Sequence, residues 1–338
     1  MIVKPTTFKN IIAVQKGRIC SIPNKIVRKP ISYSQMKSGL LKNSICMVCD
    51  YRFMTRKLHF SSEVRAICHP FRETSHFPSN IKKYLFSESD FCSDYLTTVS
   101  FSDLSGIPQI KKNQYDFVYF TLLSRQGVHC KGLYLLDLID KVASNLNLKG
   151  LVINYSQYST RHHKDVIHKD LLKYVSSHWK KFSSLKCITK QFSTKKVCAI
   201  MKAVKFVLFP NTADASPRLI AESLVRNKPV VVNSKIYGGW KYVNSQNGRF
   251  FDAPSIKEFY KNGIKKCHFN SLSSAIEEVL SLDQKIIDKD FYKEYGFCNA
   301  TKKMAKIIND ITGKKYIAAA YRDWKTPLIR LSKKKNWI

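Results

Sequence analysis

Two short apolar runs, 206–209 (Phe-Val-Leu-Phe) and 230–232 (Val-Val-Val), bracket a stretch with helical spacing. Runs of that length, with a turn signal at each end, predict strands buried on both faces. Strand, helix and strand in so few residues make a βαβ unit, whose crossover is right-handed. Ser216 stands at the expected N-cap and Pro217 at the first helical position, where a missing N–H is no loss. Arg226-Asn227-Lys228-Pro229 ends the helix with basic residues and a proline that cannot continue it.

The same pattern recurs on both sides. Residues 115–122 predict the first strand of a second domain, and 133–146 a helix with Leu135, Leu136, Leu138, Ile139 and Val142 on one face. Strands are expected at 151–154 and 185–188, and helices at 163–182, 194–203, 255–264, 271–282 and 285–310. Upstream, 11–14, 45–48 and 64–68 read as strands among Pro23, Pro30, Pro70, Pro78 and Pro108. The alternation predicts an α/β protein. A short N-terminal domain would occupy 1–112, with a polar hinge at 111–114. A Rossmann-like parallel-sheet domain would follow at 113–315, then a basic, aromatic tail at 316–338.

Composition narrows the class. Hydrophobic content of 44% and aromatic content of 12% exclude a disordered chain. Lys and Arg number 58 against 24 Asp and Glu, a formal charge of +34. Such a field attracts nucleoside diphosphates, nucleic acid or an anionic membrane surface. No apolar run is long enough to span a membrane, and the first residues lack the apolar core of a signal peptide. The expected location is cytoplasmic, with no secretion and no transmembrane segment. Ten irregularly spaced cysteines fit free thiols in a reducing compartment. Cys46 and Cys49 form one C-x-x-C, which Cys68 and His69 would complete as a zinc site only with unusual spacing; buried thiols are the simpler reading.

Candidate chemistry gathers at expected strand ends, where ligands of α/β sheets bind. Residues 210–216 join strand to helix and carry Asp214; Glu222 follows eight positions later, on the flank of the helix's apolar stripe. Glu222 is either a solvated surface acid or a half-buried carboxylate needing donors such as ribose hydroxyls. Gly238-Gly239 opens a loop at the next strand end, where bare backbone approaches a ligand closely. A third loop, 123–130, holds Arg125 and Gly127 and leads through Lys131-Gly132 into a helix. A glycine-bearing loop at a helix start, with one forked and one point cation, suits an anion. The alternative is two ordinary surface cations. His69 ends the 64–68 strand, and a structural histidine is the simpler reading there.

The stretch D-A-S-P-R-L-I-A-E-S-L-V-R-N-K-P-V-V-V, followed by Y-G-G-W-K-Y-V and N-G-R-F-F, resembles the donor-nucleotide half of GT-B glycosyltransferases, the large retaining family four in particular. That resemblance covers roughly a third of the chain well. It implies a GT-B-like α/β fold with a C-terminal Rossmann-like parallel sheet and an abbreviated N-terminal α/β domain. It implies transfer of a sugar from a UDP- or GDP-linked donor to a glycan, lipid-linked or other hydroxyl acceptor, with configuration retained and neither metal nor cofactor required. Arg125 and Lys131 would grip the diphosphate and Glu222 the ribose. Asp214, with the backbone of Ala215 and Ser216 and the loop at Gly238 and Gly239, would orient the sugar. His69 would lie on the acceptor side. The family usually has Glu where this chain has Asp214, one methylene shorter. The basic tail would pack back on the first domain or touch a membrane surface. Two other readings stay open: a basic nucleic-acid-binding protein on an α/β scaffold, and an inactive glycosyltransferase relative.

Overall fold

The computed structural model describes residues 11–15, 18–22, 29–32, 44–48, 64–75, 77–86, 90, 114–122, 125–154, 177, 181–189, 192–214, 217–282, 294–295, 297–313, 316–321 and 327–331. Its centre is a six-stranded sheet: β7 (Phe117–Thr121), β8 (Gly150–Asn154), β9 (Leu185–Thr189), β10 (Phe206–Phe209), β11 (Val230–Asn233) and β12 (Gly248–Phe251). Their spatial order is β12-β11-β10-β7-β8-β9, and every pairing is parallel. Strand order therefore reverses between β7 and β10. That reversal leaves a crevice at the carboxyl ends of those two strands.

Alternate residues of each strand feed opposite cores. Val118, Phe120, Leu151, Ile153, Val207, Phe209, Val230 and Val232 pack on one face. Phe117, Tyr119, Val152, Phe206, Leu208 and Val231 pack on the other. All are at most 3% exposed, so the unbroken apolar runs reflect two covered faces. Helices α3 (Thr194–Lys202) and α4 (Arg218–Leu224) cover the first face. The second is covered by α2 (Leu136–Asn145) and α6 (Lys266–Leu280). Two further helices, α1 (Arg125–Lys131) and α5 (Ile256–Asn262), lie in the connections after β7 and β12, and α7 (Phe297–Thr312) follows α6.

A second six-stranded sheet precedes this one. It contains β1 (Ile11–Gln15), β2 (Arg18–Ile22), β3 (Lys29–Ser32), β4 (Ser44–Val48), β5 (Val64–His69) and β6 (Lys82–Leu85), in the order β3-β2-β1-β4-β5-β6. β1, β4, β5 and β6 pair in parallel, and β2 alone is reversed, pairing antiparallel with both β1 and β3. Sequence pattern located β1, β4 and β5. The other three carry Lys, Arg, Ser and Pro in place of an apolar run, which hid them.

Two local expectations are corrected. Residues 125–131 are helical, where a loop was expected, and left-handed Gly132 ends the segment. α4 begins at Arg218 with Pro217 as its N-cap, one residue later than predicted; Ala215 and Ser216 lie outside the described residues. The tail forms an antiparallel hairpin, β13 (Tyr316–Tyr321) with β14 (Pro327–Leu331), set against α7. Of the expected helix 163–182 only 177, which is helical, and 181–182 are described, and the end of the tail lies outside the described residues.

Candidate functional site

The site assembles from the two loops that flank the strand reversal. The Tyr119 hydroxyl, at the centre of β7, donates to the Lys131 carbonyl at 2.6 Å and ties the end of α1 over the sheet. Gly132 follows with φ of 73°, and a Cβ there would lie 2.2 Å from the Pro210 carbonyl oxygen. Only glycine satisfies both the left-handed backbone and that approach. The Thr212 N–H donates to the Cys130 carbonyl at 3.1 Å, so the loops after β7 and β10 are joined through backbone.

This junction brings Lys131 onto Asp214. The ammonium donates to Asp214 Oδ2, with the two side chains 12% and 13% exposed. Asn211 Nδ2 donates to the same oxygen at 2.8 Å. Asn211 is 3% exposed, and its Oδ1 has no donor among the described residues. Behind them, the Gly238 N–H donates to the Asp214 carbonyl at 2.9 Å and the Tyr237 N–H to the Thr212 carbonyl at 3.1 Å. Gly239 has φ of 79°, and a Cβ there would meet Pro217 Cγ at 2.4 Å. The glycine pair thus lets this loop close onto the start of α4.

Glu222 lies in the second turn of α4 and is 6% exposed. Burial raises its carboxyl above the ordinary range, opposed by Arg226 and then Arg218. Both arginines stand four residues from it along the helix, where side chains share a face. Arg226 Nη1 also donates to the Glu222 carbonyl at 2.6 Å. The solvated-surface reading of Glu222 is thereby set aside. Arg125 is the first residue of α1, six positions before Lys131.

His69 ends β5 and is 4% exposed. Its ring stacks on Phe71 at 6.3 Å and leans on Phe77 at 5.5 Å. Burial, then Lys241 and Lys83, lower the imidazole to about 4, so it is neutral near pH 7. Beside it, burial pushes the Cys68 thiol up to about 12, which makes it a poor nucleophile and metal ligand. Cys49 lies outside the described residues, and those described contain no cluster able to hold a metal ion.

The segment after His69 meets the second half of the chain. Trp240 Nε1 donates to the Pro70 carbonyl at 3.0 Å, and Arg72 Nη1 to the Ser234 carbonyl at 3.1 Å. The Arg72 guanidinium lies 5.0 Å from the Trp240 ring centre. Lys241 pairs with Asp90 at 2.5 Å, both 6% exposed, and the Tyr242 hydroxyl donates to Asp90 at 3.0 Å. Residues 238–242 therefore touch the Asp214 loop at one end and the first half of the molecule at the other.

No protein-family model and no curated protein sequence matches the chain. Solved structures do match. The UDP-forming α,α-trehalose-phosphate synthase of Burkholderia xenovorans aligns at a TM-score of 0.54 and 9% identity, over 81% of this chain and 69% of that one. HepE of Anabaena, solved with UDP and glucose, aligns at 0.52 and 13% identity, over 82% and 75%. The fold is GT-B.

Within this GT-B frame the structure joins Lys131, Gly132, Asn211, Asp214 and Gly238 directly. Glu222 lies on the helix that the same loop starts, and His69 immediately precedes Pro70, whose carbonyl Trp240 grips. Sequence reasoning missed Thr121, Asn154, Asn211 and Asn233, all at most 4% exposed. A signal was present. Each closes an apolar run, as in Phe-Val-Tyr-Phe-Thr, Leu-Val-Ile-Asn, Val-Leu-Phe-Pro-Asn and Val-Val-Val-Asn. A polar residue that ends a buried strand at its carboxyl end points to the ligand crevice. No described helix is long and apolar enough to cross a membrane.

Proposed function

We propose that this chain moves a sugar from a nucleoside-diphosphate donor to a hydroxyl of a glycan or lipid-linked acceptor. The observation that carries the reading is the cluster of Lys131, Asp214 and Asn211 at the reversal of strand order. Lys131 offsets charge on the departing diphosphate, aided by Arg125. Such electrostatic stabilisation of a leaving group is often the largest catalytic contribution. Glu222 accepts the ribose hydroxyls, since a buried carboxylate gains from donors that a ligand brings. Asp214 and the backbone of 215–216 and 238–239 orient the sugar. The sheet of residues 11–85 supplies the acceptor side, with His69 as a neutral group at its edge. We further propose retained configuration and side-chain cations in place of a metal. Solved GT-B neighbours with UDP and glucose bound supply the first probes to try.

The test is a thermal-shift series with UDP, GDP, UDP-glucose and GDP-mannose on the full chain, since a ligand that binds the folded state raises the transition. A nucleotide-dependent shift followed by release of free UDP or GDP from the sugar donor is the expected result. A chain that no nucleotide or nucleotide sugar shifts, but that binds DNA with steep salt dependence, would overturn it. Lys131→Met is expected to weaken UDP far more than uridine; equal losses would remove the phosphate role.

A further inference from the structure

The candidate site holds its lysine on its own carboxylate. Asp214 Oδ2 accepts from Lys131 and from Asn211 Nδ2. A carboxylate only accepts, so the second bond fixes which end of the Asn211 amide is nitrogen. Asn211 Oδ1 is then an acceptor, buried and without a donor among the described residues. An unmet buried acceptor is uncommon.

Building on the nucleotide-sugar reading above, we propose that Lys131 is a plug which the donor exchanges. The diphosphate draws the ammonium away from Asp214. The freed Asp214 Oδ2 and the neighbouring Asn211 Oδ1 then accept two hydroxyls of the transferred sugar. A lysine neutralised by a carboxylate attracts a diphosphate weakly, so the exchange requires a ligand carrying more negative charge than Asp214. The diphosphate meets that requirement; a neutral sugar by itself does not. The sugar subsite is therefore built only after the phosphates are seated, and the two are energetically coupled. The short arm of Asp214 matters here, because it sets the carboxylate within reach of Lys131. An acceptor-only pair also selects hydroxyl-bearing sugars and rejects one that presents a carboxylate at that position.

The experiment is calorimetric titration of the full chain with inorganic diphosphate, UDP and UDP-glucose. Asp214→Asn is expected to bind inorganic diphosphate and UDP about tenfold tighter, because one charge-assisted bond no longer has to be broken. The same variant loses the advantage of UDP-glucose over UDP. A residue that merely braces the fold would not tighten binding, and a wild-type affinity in Asp214→Asn, or a weaker one, overturns the exchange while leaving the nucleotide-sugar reading in place. Asn211→Ala is the second variant, read beside its melting curve: unchanged diphosphate affinity with a loss of the UDP-glucose advantage is expected, and a retained advantage overturns the proposal. If wild-type protein binds neither UDP nor UDP-glucose, both the exchange and the reading beneath it fail.

Discussion

Two titratable side chains make opposite claims on stability. Burial raises the folded-state pKa of Glu222, so the unfolded chain ionises first as pH rises. The penalty is absent below the ordinary carboxylate range, about pH 4, and complete above the folded-state value. Glu222→Gln removes it, so that variant is expected to melt higher than wild type at pH 7 and equally at pH 3.5, while its UDP affinity falls by about tenfold or more through loss of charge-assisted bonds. Melting curves at both pH values and one titration decide this; a lower transition at pH 7 would show that the carboxylate is satisfied without ligand. His69 behaves differently. Its imidazole is held at about 4, below the unfolded value near 6.5, so it contributes no penalty above that value and costs stability as pH falls from about 6.5 to 4. His69→Leu is expected to flatten that part of the acid limb in denaturant titrations. At this scale the sequence was informative about chemistry and poor on partnership. Asp214 and Lys131 were both legible as site residues, yet 83 positions separate them, and nothing in either stretch says that they bind each other.

Elements were legible where burial is two-sided. The runs at 117–121, 206–209 and 230–233 have both faces covered, and their pattern leaves little else to form. Helix ends were harder. The turn after α4 is closed by bonds from the Asn227 N–H to the Leu224 carbonyl and from the Lys228 N–H to the Ser223 carbonyl, with Asn227 left-handed at φ of 59°. That is a Schellman closure in which asparagine takes the place usual for glycine. β2, β3, β6 and β12 were missed where Lys, Arg, Ser, Pro or Gly interrupts the apolar run. The glycines separate two kinds of constraint and yield a graded prediction. Gly313 has φ of 66° and open space around it, so Gly313→Ala should cost only the left-handed penalty of about 1–2 kcal/mol. Gly132→Ala adds a collision with backbone at Pro210, and its cost should exceed that of Gly313→Ala by about 1–3 kcal/mol, as overpacking does. Urea midpoints of both variants test the ranking, and equal losses would mean that the 132–210 approach relaxes freely.

Across the whole molecule, the two sheets meet through a buried ion pair. Lys241 and Asp90 are each 6% exposed, and the Tyr242 hydroxyl also donates to the carboxylate. Removing one member strands the other charge, so Asp90→Ala should cost about 3–5 kcal/mol. Replacing both with apolar residues of similar size, Asp90→Leu with Lys241→Met, should recover most of that loss. Chemical denaturation of the single and double variants measures the difference; a double variant no better than the single would show that the pair carries stability of its own. The last helix also reaches the first sheet, where Lys82 Nζ donates to the Asp310 carbonyl at 3.5 Å. None of these cross-links was visible in the sequence, because each joins residues more than 150 positions apart.

The turn at 238–242 bears on how such a protein could be recombined. A chimera cut midway between the sheets would inherit Trp240 and Lys241 from one parent and their acceptors at Pro70 and Asp90 from the other. Those five residues travel best with the N-terminal half they grip. Donor specificity would then have to be swapped by exchanging 125–132 and 210–224 inside an unaltered frame.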